Sequence, residues 1–154
     1  MGIPQFSKDV LELIELLIKY RVEYLLVGGS AVIYYGNPRY TGDVDFFYHS
    51  SPENAQRLFA ALKEFWQGPI PEVSSYHDLM QVGQIIQFGV PPHRIDLINR
   101  IDGVTFEEAI QDVTEEVIEQ SGFILPIKII GKSTLKKNKA ASSRPKDLDD
   151  LANL

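Results

Sequence analysis

Three aspartates stand in two short apolar segments of the sequence. Asp43 and Asp45 alternate with a valine and a phenylalanine, and Asp96 lies within the apolar segment 94–98. Side chains two residues apart on a strand share one face, about 7 Å apart, and the next strand lies ~4.8 Å away. If segment 94–98 neighbours the first strand, the three carboxylates converge, and at ~5 Å two of them repel by roughly 3 kcal/mol at an effective dielectric of 20. Such a cluster takes up protons or holds a cation, and aspartate oxygens suit Mg²⁺ or Mn²⁺.

A glycine turn supplies the second chemical feature. The apolar run 24–27 indicates a buried strand, and Gly28, Gly29 and Ser30 follow it where a helix is predicted to start. Backbone N–H groups at a helix start attract phosphate, glycine lets the backbone approach closely, and the Ser30 hydroxyl adds a donor. Asp-x-Asp and Gly-Gly-Ser are each weak signals, because both also occur in ordinary turns. Together, with twelve residues between them and a distant Asp96, they predict a site for a nucleoside triphosphate and its metal.

Other catalytic patterns are excluded by the sequence. Segment 131–133 resembles the end of a phosphate-binding P-loop, but Pro126 occupies the position that needs the first glycine. Segment 28–32 resembles a nucleophile elbow but lacks its closing glycine. The chain has no cysteine, which excludes a disulfide scaffold, a thiolate zinc site, an iron–sulfur cluster and a cysteine nucleophile.

Charge is distributed unevenly along the chain. The formal net charge is −6, yet six of the 15 Lys and Arg residues lie in segment 131–146, which contains no acid. The rest of the chain has nine basic against 21 acidic side chains, a formal charge of −12. This segment is interpreted as a local anion site or as a solvated charged face. With either interpretation, replacing Lys139 or Arg144 by alanine is expected to change stability by less than about 1 kcal/mol.

Periodicity, caps and turn residues predict a single domain over residues 1–154, with a small mixed β-sheet of four to five strands flanked by helices, an α/β (α+β) fold. The last part, from about 131 to 154, is predicted to be a basic helical segment. No membrane span or signal sequence is visible, so the expected location is the cytoplasm. The predicted helices are 8–18, 30–35, 51–65, 105–120 and the stretch from Ser133 with a break at Pro145, and the predicted strands are 24–27, 43–46, 84–90, 94–98 and an edge strand over 123–130.

These residues resemble the signature of a known family. Segment 26–30 followed by segment 43–46 is similar to the core motif of the polymerase-β-type nucleotidyltransferase superfamily, and segment 94–97 matches its third carboxylate. The ending 139–150 is similar to that of small bacterial nucleotidyltransferases, including the abortive-infection type toxins. Many relatives carry an extra helical domain that holds the acceptor, and 154 residues are expected to leave no room for one.

The resemblance implies transfer of a nucleoside monophosphate from a triphosphate, such as ATP, to a hydroxyl acceptor. Asp43 and Asp45 would hold two Mg²⁺ or Mn²⁺ ions, and Asp96 would complete the metal that activates the attacking hydroxyl. The candidate nucleotide-binding residues are Gly28, Gly29 and Ser30 at the turn, Arg39 and Thr41 before the acid pair, and Lys139 and Arg144 in the basic ending.

Several functional alternatives stay open. The acceptor could be RNA, a protein or a small molecule, and the enzyme could be the toxin of a toxin–antitoxin or phage-defence system with an antitoxin as partner. The alternative class is a non-catalytic nucleotide-binding or partner-binding module on the same fold. A sugar-nucleotide glycosyltransferase is a third class, but the small size and the upstream Gly-Gly-Ser argue against it.

Overall fold

The computed structural model describes residues 2–154, which contain one six-stranded mixed sheet flanked by helices. The mixed α/β fold is thus confirmed, with one strand more than expected. The strands are β1 (Tyr24–Val27), β2 (Asp43–Tyr48), β3 (Ile85–Phe88), β4 (Arg94–Ile98), β5 (Val113–Gln120) and β6 (Phe123–Ile130), in the spatial order β3-β4-β2-β1-β6-β5. The helices are α1 (Lys8–Lys19), α2 (Gly28–Tyr34), α3 (Pro52–Trp66), α4 (Phe106–Ala109), α5 (Lys132–Ser142) and α6 (Pro145–Ala152), with a 3-10 turn at Tyr76–Met80.

The helices that cover the core begin where the sequence predicts them. The Ser7 hydroxyl accepts a hydrogen bond from the Val10 N–H at 3.3 Å and caps α1. Ser51 caps α3 in the same way, with proline at the first helical position. Helices α1 and α3 pack together and bury their leucines in the core that also takes Val44 and Phe46 of β2. The opposite face of β2 is therefore left for Asp43 and Asp45.

The helix predicted over 105–120 is wrong beyond its first turn. Thr105 does cap a helix, since its Oγ1 accepts from the Glu108 N–H at 3.1 Å, but α4 ends at Ala109. Residues 113–120 instead form β5, which pairs antiparallel with β6 along its whole length. The two strands are joined at Ser121 and Gly122, both with positive φ (51° and 85°), as a two-residue hairpin turn requires. This long pairing outweighs the helical propensity of the glutamates.

The prediction that 123–130 is an edge strand is also wrong. β6 lies between β1 and β5, and the free edges of the sheet are β3 and β5. Pro126 is tolerated there because β6 pairs with β1 only where Ile129 faces Leu26, three residues further along. The missing proline N–H therefore costs no bond to β1.

The C-terminal part is two helices separated by a break, as predicted. α5 ends at Ser142, the next residue, Ser143, has a left-handed φ of 56°, and Pro145 occupies the first position of α6. Among residues 2–154, no helix combines the length and the apolar character needed to cross a membrane.

Candidate metal and nucleotide site

Two parallel strands bring the three aspartates together. In the pairing of β2 with β4, Asp45 stands opposite Asp96 and Asp43 stands opposite Arg94. One carboxylate oxygen from each of Asp43, Asp45 and Asp96 lies within 4.8 Å of the other two. The expectation that segment 94–98 neighbours the first acidic strand is thus confirmed.

Arg94 is a member of this cluster that the sequence analysis missed. Its Nη2 donates to Asp43 Oδ2 at 2.7 Å, and its Nε donates to Asp96 Oδ1 at 3.0 Å. The hydrogen bonds that Arg94 donates to Asp96 and Asp43 raise the pKa of its guanidinium above its usual value. The sequence does indicate the contact with Asp96, because Arg94 lies two residues before it and shares its face. The contact with Asp43 on β2 depends on the strand register, which the sequence does not show. A metal ion between these oxygens would compete with this cation.

Burial and repulsion make Asp45 the most perturbed acid of the cluster. Burial, together with the charges of Asp43 and Asp96, raises the pKa of Asp45 to about 7. Burial also raises the pKa of Asp96, although the hydrogen bond from Arg94 opposes this shift. Asp45 Oδ1 is buried and has no hydrogen-bond partner among residues 2–154. An unpartnered carboxylate oxygen inside an all-oxygen donor set fits a hard divalent cation such as Mg²⁺ or Mn²⁺.

The glycine turn packs directly against this cluster. Gly28 has φ of 66°, and a side chain there would overlap the carboxylate of Asp45. A Cβ at Gly29 would lie 2.6 Å from Thr41 Oγ1 and 3.2 Å from Arg39 Nη2. The structure thus places Gly28, Gly29, Arg39 and Thr41 in one contact group beside Asp45. The first N–H groups of a helix have no partner within it, so the start of α2 is able to donate to an anion.

Ser30 is placed differently from the two glycines. Its residue is 1% exposed, inside α2, and it does not line the cavity above the aspartates. A role for its hydroxyl in phosphate binding stays a prediction.

The two cations predicted in the basic ending are already paired with aspartates of α6. Lys139 Nζ lies 3.2 Å from Asp147 Oδ1 and 3.1 Å from Asp150 Oδ2. Arg144 Nε donates to Asp147 Oδ2 at 2.6 Å. Asp150 also pairs with Arg39, whose Nε lies 2.7 Å from Asp150 Oδ1. Burial acts to raise the pKa of Asp147, but hydrogen bonds from Arg144 and Lys139 hold it below its usual value.

Lys139 is therefore not a surface residue, and its burial argues for a larger loss of stability on replacement than the sequence predicts. Lys139 is 5% exposed and both of its aspartate partners are fully buried. The side chain of Arg144, in contrast, is 71% exposed. Contacts of either cation with a triphosphate stay predictions.

A cavity of about 500 Å³ collects most of these groups. Its lining includes the predicted site residues except Ser30 and Thr41, which gives Gly28, Gly29, Arg39, Asp43, Asp45, Asp96, Lys139 and Arg144. Arg94, Arg100 and Lys146 also line it and were not predicted. The volume lies within the range of small-molecule sites. The cavity thus combines a cluster of acids that could hold a metal ion with surrounding cations.

Comparison with solved structures identifies the fold. The chain is similar to an antigenic nucleotidyltransferase-like protein from Paracoccidioides brasiliensis, with 19% identity and a TM-score of 0.56 over 96% of this chain and 76% of that one. It is also similar to a candidate nucleotidyltransferase from Thermotoga maritima, with 10% identity and a TM-score of 0.58 over 97% of this chain and 94% of that one. No family model matches the chain. No curated protein matches it either. The fold is therefore nucleotidyltransferase-like.

Proposed function

We propose that this protein is a metal-dependent nucleotidyltransferase that moves a nucleoside monophosphate from a nucleoside triphosphate to a hydroxyl acceptor. The observation that carries the proposal is the cluster of Asp43, Asp45 and Asp96, packed against the Gly28–Gly29 turn on a nucleotidyltransferase-like fold. In the reaction the acceptor oxygen forms a bond to the α-phosphorus, the bond to the β-phosphate oxygen breaks, the hydroxyl proton is released and pyrophosphate leaves.

In this reaction some residues would neutralise charge and others would position the phosphates. Asp43, Asp45 and Asp96 would hold Mg²⁺ or Mn²⁺, which supplies charge neutralisation for the attacking and leaving oxygens. The backbone at Gly28 and Gly29 donates to phosphate oxygens, and Arg39 stands beside it as a cation. Positioning and charge neutralisation account for most of the catalysis of phosphoryl transfer, so the site needs no nucleophile of its own.

The same proposal has a finer form. Because the ending 139–150 resembles that of abortive-infection type toxins, we propose that the transfer serves as the toxin activity of a toxin–antitoxin or phage-defence pair, with RNA or protein as acceptor. Induced expression of the parent is expected to arrest growth, while the Asp45→Asn variant is expressed without effect. Equal growth of both cultures contradicts the toxin role and leaves the transferase proposal to its own test.

The transferase test is incubation with each radiolabelled nucleoside triphosphate, Mg²⁺ and total cell RNA or protein. We expect label transfer from one triphosphate, and loss of it in Asp43→Asn and Asp45→Asn. Asp149→Asn is the matched control, because Asp149 is an exposed acid of α6 outside the cavity lining. Transfer that persists in both site variants contradicts the proposal.

One observation favours a second candidate, a nucleotide-binding module without transfer. Arg94 already neutralises Asp43 and Asp96, so the cluster carries a cation of its own. In this case the parent would bind a triphosphate but transfer no label to any acceptor fraction.

A further inference from the structure

Tyr40 exposes more of its surface than any other large apolar side chain among residues 2–154. Its exposed fraction is 74%, three residues before Asp43. A Cβ at Gly42 would lie 3.3 Å from Tyr40 Oη and 3.2 Å from Pro91 Cβ. The phenol oxygen and the proline ring therefore both lie beside Gly42, the residue before Asp43 of the aspartate cluster, and glycine adds no side chain there.

The backbone that presents this ring is anchored on both sides. Arg39 Nη1 donates to the Tyr40 carbonyl at 2.9 Å, and Arg39 is itself held by the fully buried Asp150. On the other side, Thr41 Oγ1 donates to the Asp43 carbonyl at 3.1 Å. In the described part of the chain the Tyr40 hydroxyl has no hydrogen-bond partner. The backbone of the segment is thus held in place, and it presents an aromatic ring that contributes little to the core.

The surroundings of the ring suit one half of a nucleotide. Val90 is 73% exposed, and the two prolines that follow it are also exposed, so an exposed apolar segment reaches Tyr40 at Pro91. The Gly28–Gly29 turn and the aspartates provide the polar region on the other side of Thr41. A nucleotide also has two such parts, because its phosphate chain is anionic and its base is flat and largely apolar on its faces.

We propose that Tyr40 stacks on a nucleobase, with Pro91 beside it, and so is a binding residue of the site. This inference rests on the proposed function. The base belongs either to the donor triphosphate or to the end of an RNA acceptor, and the chemistry that recognises it is the same. Stacking of a base on an aromatic side chain contributes about 1–3 kcal/mol, which corresponds to about a five- to 150-fold change in affinity.

The experiment compares ligands with and without a base. Affinities of ATP, GTP, CTP and UTP with Mg²⁺ are measured against those of tripolyphosphate, which has the phosphates alone. We expect Tyr40→Ala and Tyr40→Leu to lose affinity for the preferred triphosphate by about five- to 150-fold, while tripolyphosphate binds as to the parent. Tyr40→Phe keeps the ring and is expected to restore binding. Ile124→Ala is the matched control, since Ile124 is 73% exposed on the distant β5–β6 hairpin.

A second arm uses a short RNA and the same RNA with an abasic 3′ end. If triphosphate affinity is unchanged but Tyr40→Ala weakens binding of the intact RNA and not of the abasic one, the base is that of the acceptor. Parent-like binding in both arms, or an equal loss for tripolyphosphate, overturns the stacking role. If the parent itself binds neither triphosphate nor tripolyphosphate, the proposed function fails, and this inference fails with it.

Discussion

Asp45 links the site to the stability of the fold. Its pKa is raised to about 7 in the folded state, mainly because the carboxyl group is buried, against a usual value of 3.8. Between these two pH values the folded state binds more protons than the unfolded state. The contribution of Asp45 to the unfolding free energy therefore falls as pH rises, with a slope of at most about 1.4 kcal/mol per pH unit. Above about pH 7 this contribution no longer changes.

We expect the Asn variant of Asp45 to lose this pH dependence. Without divalent metal, the melting temperature of the parent should fall from pH 5 to pH 8, while that of Asp45→Asn changes less and is higher at pH 8. Thermal unfolding at several pH values checks this, with Asp149→Asn as control. Identical pH profiles for parent and Asp45→Asn would show that burial does not raise the pKa of Asp45.

Arg94 is expected to compete with the metal. Removing its guanidinium in Arg94→Gln leaves Asp43 and Asp96 without their cation, so the metal-free protein should melt at a lower temperature near pH 8. Mn²⁺ affinity should rise, because the ion no longer competes with a guanidinium for the oxygens of Asp43 and Asp96. Titration with Mn²⁺ measures it. A lower Mn²⁺ affinity in this variant would instead make Arg94 a supporting residue of the metal site.

The acid cluster was predictable because period-two alternation in an apolar strand places Asp43 and Asp45 on one face from the sequence alone. Asp96 needed the assumption that its strand is the neighbour. The contacts of Arg94 needed more, since they depend on the register that sets it opposite Asp43. Spacing within one segment shows which side chains share a face, but it does not show the register between two strands.

At the scale of elements, α5 and α6 are held together by buried charges. Lys139 of α5 and Arg39 of the segment before β2 share the carboxylate of Asp150 of α6. Charge alone predicted a solvated face or an anion site for segment 131–146. The charge pattern does not show how deeply the pairs between these cations and the acids just beyond the segment are buried, because that depends on the turn at Ser143.

Removal of Asp150 is expected to be costly. Asp150→Asn leaves Arg39 without its carboxylate and Lys139 with Asp147 alone. Breaking a buried ion pair costs about 3–5 kcal/mol. Urea unfolding measures the change. Lys146→Ala, at an exposed residue whose ammonium group pairs with no carboxylate among residues 2–154, is the control and should change stability by less than about 0.5 kcal/mol. A loss below about 1 kcal/mol in Asp150→Asn would mean that the network is hydrated and weak.

The β5–β6 hairpin shows what element prediction missed. Thr105 gave a true helix start, but Ser121 and Gly122 were not recognised as a two-residue turn between strands. Eight residues on each side of that turn pair with each other, and this pairing decides the structure of 113–120. The glutamates in that stretch have good helix propensity, so a local criterion favoured the wrong element.

At the scale of the whole molecule, the sheet order places the site. β2 and β4 are neighbours although residues 49–93 separate them in the sequence, and the glycine turn adjoins them because β1 pairs with β2. Strand types follow from local patterns, whereas this order follows from how the helices cover the core. The fold class was therefore predictable from the sequence, but the sheet order was not.

Binding of metal and triphosphate should stabilise the whole fold, since both bind only where β1, β2 and β4 are assembled. Stabilisation by mass action is about 2.7 kcal/mol at a ligand concentration 100 times Kd. At about 2–4 °C per kcal/mol for a domain of this size, the melting temperature should rise by about 5–10 °C with Mg²⁺ and triphosphate together. The shift should grow from pH 5 to pH 8, because the metal requires the ionised form of Asp45. The rise in melting temperature should disappear in Asp43→Asn and persist in Asp149→Asn. An equal, metal-independent shift in Asp43→Asn would place the triphosphate away from the aspartate cluster.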